Sequence, residues 1–181
     1  MNENTLSVRE IQEGDIELIT QYWLNADATF LRGMGVDIDK VPSQEHWRKM
    51  LRKQLSQSYP EKESYCIIWE VDGKPVGHSN VNKIIFGQEA YMHLHLWNSG
   101  IRKKGIGTNL AKMTIPYFFK NMQLKTLYCE PHELNPAPRK TLERIGFKFL
   151  KEYVTTPGWI CFEQSVNLWE LSLEQFNKIK T

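Results

Sequence analysis

A basic, glycine-rich stretch lies just past the middle of the chain and reads "NSGIRKKGIGTNL" at residues 98–110. Glycine lets a ligand approach the backbone closely, and a helix that begins here would point its free N–H groups and its positive end at an anion. The stretch predicts a site for an anion such as a diphosphate, with a basic surface turn as the alternative. Its central residues are Arg102, Lys103, Lys104, Gly105, Ile106, Gly107 and Thr108.

Two common phosphate motifs do not fit this stretch. A Walker A loop needs a lysine after its second glycine, and Gly105 is followed by Ile106. The dinucleotide motif G-x-G-x-x-G fits Gly105 and Gly107 and then fails at Leu110. That motif also follows the first strand of a parallel sheet, whereas at least three predicted strands precede this stretch. The sequence therefore indicates a different kind of anion site.

Residues 89–97 form a second chemical feature, because polar and apolar side chains alternate along them. With a period of two, one face of this predicted strand is polar and the other belongs to the core. Histidine titrates near neutral pH, so either histidine could relay a proton in a cleft. Alternatively, both are structural and hydrogen-bonded. The polar face carries Glu89, Tyr91, His93, His95 and Trp97, and the core face carries Ala90, Met92, Leu94 and Leu96.

The elements that position these residues follow the order βααβββαβαββ and predict an α/β (α+β) fold with a mixed sheet. Residues 25–47 read largely as a polar loop before a helix that opens at Ser43. Pro116 predicts a bend or an early break in the helix after the glycines. Asn135 is the predicted N-cap of the next helix, and a tight Pro-Gly turn joins the last two strands. We expect one domain over residues 1–181.

Composition narrows the class of protein. Hydrophobic residues make up 41% and charged residues 24%, with 23 basic against 21 acidic side chains, so neither disorder nor a broad nucleic-acid-binding face is indicated. From the polar start we expect no signal peptide, and the apolar runs are too short to predict a membrane-spanning helix. Cys66, Cys129 and Cys161 are odd in number and widely spaced, which favours reduced thiols over disulfides or a metal site. We expect a cytoplasmic protein without a metal ion.

Two motifs resemble the GNAT superfamily of N-acetyltransferases. The run Arg102-Lys103-Lys104-Gly105-Ile106-Gly107 is similar to the family's Q/R-x-x-G-x-G/A signature for acetyl-CoA, and "NPAPRKTLERIGF" at residues 135–147 is similar to its fourth helix. The second motif is closest to the branch of ribosomal-protein N-terminal acetyltransferases. The resemblance implies a mostly antiparallel sheet of six to seven strands, flanked by helices, and an acetyl-CoA-dependent transferase.

The resemblance also implies how acetyl-CoA binds. The pantetheine arm would lie between the fourth and fifth strands and bond to main-chain groups near Leu96 and Trp97. Backbone amides of residues 102–108 would hold the pyrophosphate. Asn135 would reach the pantetheine arm, and Arg139 and Lys140 would lie near the 3′-phosphate unless they form an ordinary solvated helix face.

Acetyl transfer needs a base, because an alkyl amine is protonated near neutrality. Arylalkylamine members of the family use a His-x-His on the fourth strand; His93 matches one of these histidines and Tyr91 stands at the other. Glu130, at the end of the fifth strand, is a second candidate base, with an exposed carboxylate as the alternative. Leu142 and Pro138 replace the family's tyrosine and serine acids. The proton donor to the thiolate is therefore unassigned, and Tyr128 is either a candidate or a core residue.

The acceptor side is predicted from residues 25–47 and the tip at residues 155–159. We expect acids there to attract a cationic amine and aromatic rings to enclose it. Three acceptors remain open: a protein N-terminus, a polyamine or aminoglycoside, and a siderophore precursor; a non-catalytic CoA-binding module is the alternative from another class. The acids are Asp27, Asp37 and Asp39, and the rings are Phe30, Trp47 and Trp159.

Overall fold

The computed structural model describes residues 4–97, 100 and 105–179. The strands are β1 (Leu6–Glu10), β2 (Tyr65–Val71), β3 (Lys74–Ile85), β4 (Glu89–Leu96), β5 (Thr126–Cys129), β6 (Lys148–Thr155) and β7 (Gln164–Ser172). The helices are α1 (Ile16–Leu24), α2 (Ala28–Gly33), α3 (Gln44–Ser56), α4 (Ile106–Asn121), α5 (Pro136–Ile145) and α6 (Leu173–Ile179). Among the described residues, no helix is long and apolar enough to cross a membrane.

The strands form one seven-stranded sheet in the order β1-β2-β3-β4-β5-β7-β6. All neighbouring pairs are antiparallel except β4 and β5, which are parallel. The predicted mixed, mostly antiparallel sheet is confirmed. The parallel pair falls in the middle of the sheet because β4 and β5 are joined through α4 rather than by a hairpin.

The β4–β5 pairing is short. It runs from Glu89 opposite Thr126 to Tyr91 opposite Tyr128. β4 then continues to Leu96, whereas β5 ends at Cys129. Beyond Tyr91, β4 therefore extends past its parallel partner, and an opening begins between the two strands.

Each face of the sheet carries its own hydrophobic cluster. One cluster joins the sheet to α4 and α5, and the core face of β4 contributes Ala90 and Met92, which are 0% and 1% exposed. The other cluster joins β2 to α1 and α3 through residues such as Trp23 and Trp47. The alternation predicted for β4 is confirmed, and its polar face lies on the side of α1 and α3.

The segment before α3 corrects one prediction. Residues 25–47 contain α2 and a 3₁₀ turn at Ile38–Lys40 as well as loop. The side chain of Asp27 accepts hydrogen bonds from the N–H groups of Thr29 and Phe30, and Asp37 accepts one from Asp39. These acids stabilise the starts of short helical turns. The sequence predicted a loop here because the segment is rich in polar residues. α4 also differs from the predicted early break, because it runs through Pro116 to Asn121.

The connection between β6 and β7 corrects another prediction. Instead of a tight turn, residues 156–163 separate the two strands. This connection packs against the segment after α2: Cys161 pairs with Val36 in an isolated bridge, and the N–H of Asp37 donates to the carbonyl of Ile160 at 2.8 Å. The bridge holds the connection over the face of the sheet that carries α1 and α3. Trp159 therefore lies outside any strand.

Candidate active site

A cavity of about 660 Å³ lies between the polar face of β3 and β4 and the helices α1 and α3. The connection between β6 and β7 closes one side of it. Its volume is typical of sites for small ligands. From the sheet it is lined by Cys66, His78, Asn80, Asn82, Lys83, His93 and His95, and from the helices and loops it is lined by residues that include Trp23, Met34, Trp47, Met50, Gln54, Glu63, Trp159 and Cys161.

The glycine-rich stretch ends at the start of α4, as its sequence predicts. Gly105 caps the helix with φ 76° and ψ −8°, a left-handed conformation that favours glycine. Ile106 is buried at the start of the helix, while a Cβ added at Gly107 would meet no atom within 4 Å. Among the described residues, none would therefore contact a side chain at position 107. Arg102, Lys103 and Lys104 lie outside the described residues.

The main-chain N–H of Trp97 does not have the role predicted for it, which was to bind the pantetheine arm. The N–H of Trp97 donates to the carbonyl of Val76 at 2.9 Å, and Leu96 is paired with Gly77. The Trp97 amide therefore serves the pairing with β3 and is not available to a ligand between β4 and β5. Since main-chain groups alternate in direction along a strand, the amides that point toward the opening belong to the even-numbered residues, such as Leu94.

Three imidazole rings form a stack on the polar face of the sheet. His78 and His95 lie 4.6 Å apart between ring centroids, with 22° between their planes. His93 continues the stack at 6.4 Å from His95. His78 is 3% exposed and was not predicted as a site residue. The same alternation that identified His93 also places His78, Asn80 and Asn82 on one face of β3.

Each histidine has a specific hydrogen-bond partner. The carbonyl oxygen of Asn82 lies 3.0 Å from the Nε2 of His93 and can only accept, so Nε2 carries the proton and Nδ1 keeps its lone pair. The indole N–H of Trp97 donates to the Nδ1 of His78 at 2.8 Å. The hydroxyl of Tyr22 lies 3.3 Å from the Nδ1 of His95.

Burial keeps this stack uncharged. It lowers the pKa of His93 to about 4, with the nearby Lys83 ammonium adding to the effect. Burial also lowers the pKa of His78 to about 3 and that of His95 well below its usual range, and repulsion between charges on neighbouring rings adds to the effect. At neutral pH the wall that these rings form is neutral, and each imidazole is in the form that can accept a proton.

Glu130 lies beyond the end of β5 and is only 8% exposed. The alternative of an exposed carboxylate is wrong. Its Oε2 lies 3.1 Å from the ammonium of Lys83, and its Oε1 accepts a hydrogen bond from the hydroxyl of Tyr153. Burial raises the pKa of Glu130, and the contact with Lys83 opposes that rise. Both oxygens are thus engaged by protein groups.

Lys83 reaches Glu130 because β3 is irregular there. The pairing with β4 shifts between Asn82 and Ile85, and Lys83 has φ 46°, which is rare for a residue with a side chain. A bulge of this kind interrupts the alternation of side chains, so Lys83 and Asn82 both line the cavity. A non-glycine residue held in this region stores about 1 kcal/mol or more of strain, a cost that the neighbouring contacts must offset.

The remaining predicted cofactor and acid positions lie around α5. Asn135 is the N-cap, and its Oδ1 accepts from the N–H of Ala137 at 3.3 Å. Arg139 pairs with Glu143 at 3.0 Å on the exposed face of the helix. Leu142 is 0% exposed, so the residue at the family's tyrosine position belongs to the core. Tyr128 packs its ring on Tyr91, at 5.2 Å between centroids.

The acids predicted for the acceptor side do not line the cavity. Asp27 and Asp37 cap helical turns, and Asp37 also pairs with Lys40 at 3.4 Å. Of the predicted aromatic residues, Trp47 and Trp159 line the cavity and Phe30 does not. Within the described ranges, no three His, Cys, Asp or Glu side chains lie close enough to share a metal ion. The described cysteines are free thiols: Cys66, Cys129 and Cys161.

Solved structures share this fold over almost their whole length. RimL, a ribosomal L7/L12 alpha-N-protein acetyltransferase in complex with coenzyme A, is 15% identical over 94% of this chain and 96% of its own, with a TM-score of 0.75. The aminoglycoside acetyltransferase AAC(6′)-Ib with coenzyme A is 14% identical over 98% and 100%, also at 0.75. Spermidine N-acetyltransferase from Vibrio cholerae, with CoA and spermine, is 16% identical over 95% and 98%, at 0.75. At these identities the likeness shows the fold alone.

Comparison of sequences identifies the family. No curated protein sequence matches the chain. The sequence profile described as the acetyltransferase (GNAT) domain matches residues 5–148, which include β1 to β5, α4 and α5. The protein is therefore an N-acetyltransferase, and the chain belongs to the acetyltransferase (GNAT) domain family.

Proposed function

We propose that the protein moves an acetyl group from acetyl-CoA to a primary amine by direct attack in a ternary complex. One observation carries the proposal: His93 and His95 belong to the part of β4 that extends past β5, and they also line the cavity. A thioester that enters through the opening between the strands would thus meet an amine that occupies the cavity. Holding both reactants in one geometry supplies a large part of the rate enhancement of such enzymes.

Acetyl-CoA would be held by the start of α4 and the opening beside β4. The open space at Gly107 leaves room for phosphate against the first turn, where the helix has unpaired N–H groups. Arg102, Lys103 and Lys104, predicted from the sequence, would add positive charge. Asn135 would contact the pantetheine arm with its side-chain amide while its oxygen caps α5. Arg139 is held by Glu143, so we assign it no contact with acetyl-CoA.

The reaction forms a C–N bond at the thioester carbonyl, breaks the C–S bond and releases one proton from the amine. We assign the proton to the Nδ1 of His93, whose Nε2–H is held by Asn82. An imidazole with a pKa of about 4 cannot deprotonate an alkylammonium with a pKa of about 10 in advance, since six pKa units cost about 8 kcal/mol. The alkylammonium would therefore lose its first proton to solvent, and the neutral amine would form the C–N bond. His93 would then accept the second proton from the nitrogen, which becomes acidic once that bond has formed.

The thiolate needs no dedicated acid in this scheme. An ordinary thiol has a pKa of about 8.5. Near pH 7.5 the protonated thiol is therefore more stable than the departing thiolate by about 1.4 kcal/mol. Solvent can supply that proton. Glu130, with both oxygens engaged by Lys83 and Tyr153, would position the strand ends on either side of the reacting groups.

Release of coenzyme A, followed with a thiol reagent over a panel of amines, tests the proposal, together with mass spectrometry of the acetylated product. Acetyl-CoA binding is measured separately by calorimetry. The expected result is amine-dependent CoA release with one acetyl group on the amine. Tight binding of acetyl-CoA without transfer to any amine would instead support a non-catalytic CoA-binding module.

A further inference from the structure

The ammonium of Lys83 lies at the opening between β4 and β5. It passes over the ring of Tyr91, with the nitrogen 4.6 Å from the ring centroid, and Tyr91 opposite Tyr128 is the last pair that joins the two strands. It then meets the Oε2 of Glu130, one residue beyond the end of β5, at 3.1 Å. A positive charge is therefore held where the two strands begin to separate.

His93 and Glu130 lie at the same level on the two sides of this opening. Each comes two residues after the last pair, His93 after Tyr91 and Glu130 after Tyr128. Residues two apart along a strand share a face, so both belong to the face that borders the cavity. Lys83 lines the cavity together with His93 and bonds to Glu130. A thioester between the strands would thus have an imidazole on one side and an ammonium on the other.

This ammonium has hydrogen-bond donors left for a ligand. A lysine ammonium carries three N–H groups, and among the described residues the hydrogen-bond acceptor of Lys83 is Glu130 alone. The side chain of Lys83 is 39% exposed, against 3% for that of Glu130. Lys83 also borders a second cavity of about 570 Å³. A bound molecule could therefore contact Lys83 while the pair with Glu130 stays in place.

The backbone of Lys83 is strained in this position. Its φ of 46° is rare for a residue with a side chain, and the pairing of β3 with β4 is irregular beyond Asn82. Strained residues of this kind cluster at active sites and ligand clamps. The other ammonium among the described residues of the cavity lining, that of Lys53, comes from α3 and is bound by both oxygens of Glu63. The backbone and the contacts thus distinguish Lys83.

Acetyl transfer creates a negative charge on sulfur at this opening. When the C–S bond breaks, its electron pair stays on the sulfur, so coenzyme A leaves as a thiolate. Leu142 and Pro138 stand where the resemblance to the family places acids, and neither side chain can donate a proton. A positive charge that is already in place stabilises a developing negative charge more than water does, because it need not reorient during the reaction.

We propose that Lys83 is a catalytic residue of the transfer, whose ammonium donates a hydrogen bond to the sulfur of acetyl-CoA as the thiolate forms. This inference rests on the proposed function, since it needs the thioester in the opening between β4 and β5. Lys83 keeps its own protons: solvent protonates the departing thiolate, and the protons of the amine go to solvent and to His93. Glu130 holds the ammonium in place.

The thiol of bound coenzyme A tests this contact without turnover. Its titration is followed through the ultraviolet absorbance of the thiolate, and a parallel titration with desulfo-coenzyme A, which lacks the sulfur, subtracts the absorbance of the protein. An ammonium in contact should lower the pKa of the bound thiol by about one unit or more from its ordinary value of about 8.5. The titratable groups around the ammonium are Glu63, Glu89, Tyr91, His93, Tyr128, Glu130 and Tyr153.

Variants assign the shift to one charge. Lys83→Met should return the pKa of the bound thiol to about 8.5 or above, because the ammonium is gone and the carboxyl group of Glu130 remains. Glu130→Gln keeps the ammonium and removes a competing negative charge, so the thiol should titrate as low as in the wild type or lower. Lys53→Met is the matched control, since Lys53 lines the same cavity but is held by Glu63, and it should leave the shift unchanged.

Kinetics separate catalysis from binding. In Lys83→Met, kcat should fall about tenfold or more, while the Kd for acetyl-CoA stays within about twofold because the sulfur of the thioester is uncharged before reaction. The double variant Lys83→Met/Glu130→Gln leaves no buried carboxylate unpaired and should show the same loss of kcat. Lys53→Met should keep kcat. A kcat that is unchanged in the folded double variant overturns the proposal.

The titration also distinguishes failure of this inference from failure of the proposed function. Amine-dependent CoA release by a wild type whose bound thiol titrates as in free coenzyme A would overturn the role of Lys83 and leave acetyl transfer intact. A lowered thiol pKa that Lys83→Met abolishes, with no CoA release to any amine, would support the contact and reject the transfer. Equal changes of the thiol pKa in Lys83→Met and Glu130→Gln would show that the ion pair acts only through structure.

Discussion

The ammonium of Lys83 lies 3.1 Å from the Oε2 of Glu130 and joins β3 to the end of β5 across the intervening strand β4. It passes over the ring of Tyr91, whose centroid is 4.6 Å from the nitrogen. The side chain of Glu130 is 3% exposed and that of Lys83 is 39% exposed. A charged contact therefore spans the place where β4 and β5 separate, at the point where we place the thioester.

Removal of the Lys83 ammonium should destabilise the protein in a pH-dependent way. In Lys83→Met, Glu130 loses the contact that opposes the rise of its pKa, so its ionised form is left buried. We expect the free energy of unfolding to fall by about 1–2 kcal/mol at pH 8, a figure that allows for screening of the half-exposed lysine. The loss should shrink as pH falls and Glu130 is protonated. Urea titrations at pH 5 and pH 8 measure both values.

Lys53→Met is the matched control for that experiment. Lys53 and Glu63 also form an ion pair at 2.8 Å, but their side chains are 56% and 73% exposed. Exposed pairs contribute little to stability, so this variant should change unfolding by less than about 0.5 kcal/mol. Equal losses in the two variants, or a Lys83→Met loss that grows at low pH, would contradict the role assigned to burial.

Gly107→Ala separates stability from acetyl-CoA binding. The position is helical and has no atom within 4 Å of the added Cβ, so alanine should raise the free energy of unfolding by about 0.5–1 kcal/mol. The methyl group would occupy the space that we assign to phosphate, and the Kd for acetyl-CoA should rise about tenfold or more by calorimetry. Gly107→Glu should abolish binding, since it adds a negative charge.

Gly33→Ala provides the control for Gly107→Ala, because Gly33 also lies in a helix and also has no atom within 4 Å of an added Cβ. It should leave the Kd for acetyl-CoA unchanged. An unchanged Kd in folded Gly107→Ala and Gly107→Glu would show that phosphate does not bind at the start of α4.

His93→Gln tests the assigned proton acceptor. Glutamine can still donate to Asn82 but cannot take a proton, so kcat should fall about 10²-fold while the Kd for acetyl-CoA stays within about twofold. The wild type should also lose activity below about pH 4, where His93 becomes charged. His95→Gln tests the competing imidazole. If His95→Gln or Glu130→Gln abolishes turnover and His93→Gln does not, the assignment to His93 is wrong.

The imidazole stack should make stability fall in mild acid. The pKa of His93 is lowered from 6.5 to about 4 and that of His78 to about 3, so the unfolded chain binds these protons first. The free energy of unfolding is therefore highest above pH 6.5, where both rings are neutral in the folded and unfolded states, and it decreases as the pH falls toward 4. Each histidine contributes up to about 1.4 kcal/mol per pH unit in that window.

Unfolding by urea between pH 4.5 and 7 measures this slope. In His78→Phe, which replaces one buried ring with an uncharged one, the slope should be smaller by about the contribution of one group. The same slope in the wild type and in His78→Phe would mean that the stack is not the source of the acid sensitivity.

The sequence by itself determined the features that depend on a few neighbouring residues. The alternation along residues 89–97 set the two faces of β4, because side chains of a strand alternate whatever lies beside it. The start of α4 at Gly105, which has φ 76°, was readable because few residues other than glycine adopt that conformation. Asn135 was readable as an N-cap because capping involves only the next turn. The family motifs lie in these same local segments.

Only the tertiary structure decided what surrounds those features. Glu130 is buried against Lys83 and Tyr153, which are 47 and 23 residues away in the chain, so its sequence neighbours could not predict its burial. Trp47 and Gln54 came to line the cavity because α3 packs over the polar face of β3 and β4. Burial and charge pairing depend on which elements meet, and contacts between distant residues decide that. A local sequence pattern predicts which side chains share a face of one element, but it does not predict which other elements pack against that face.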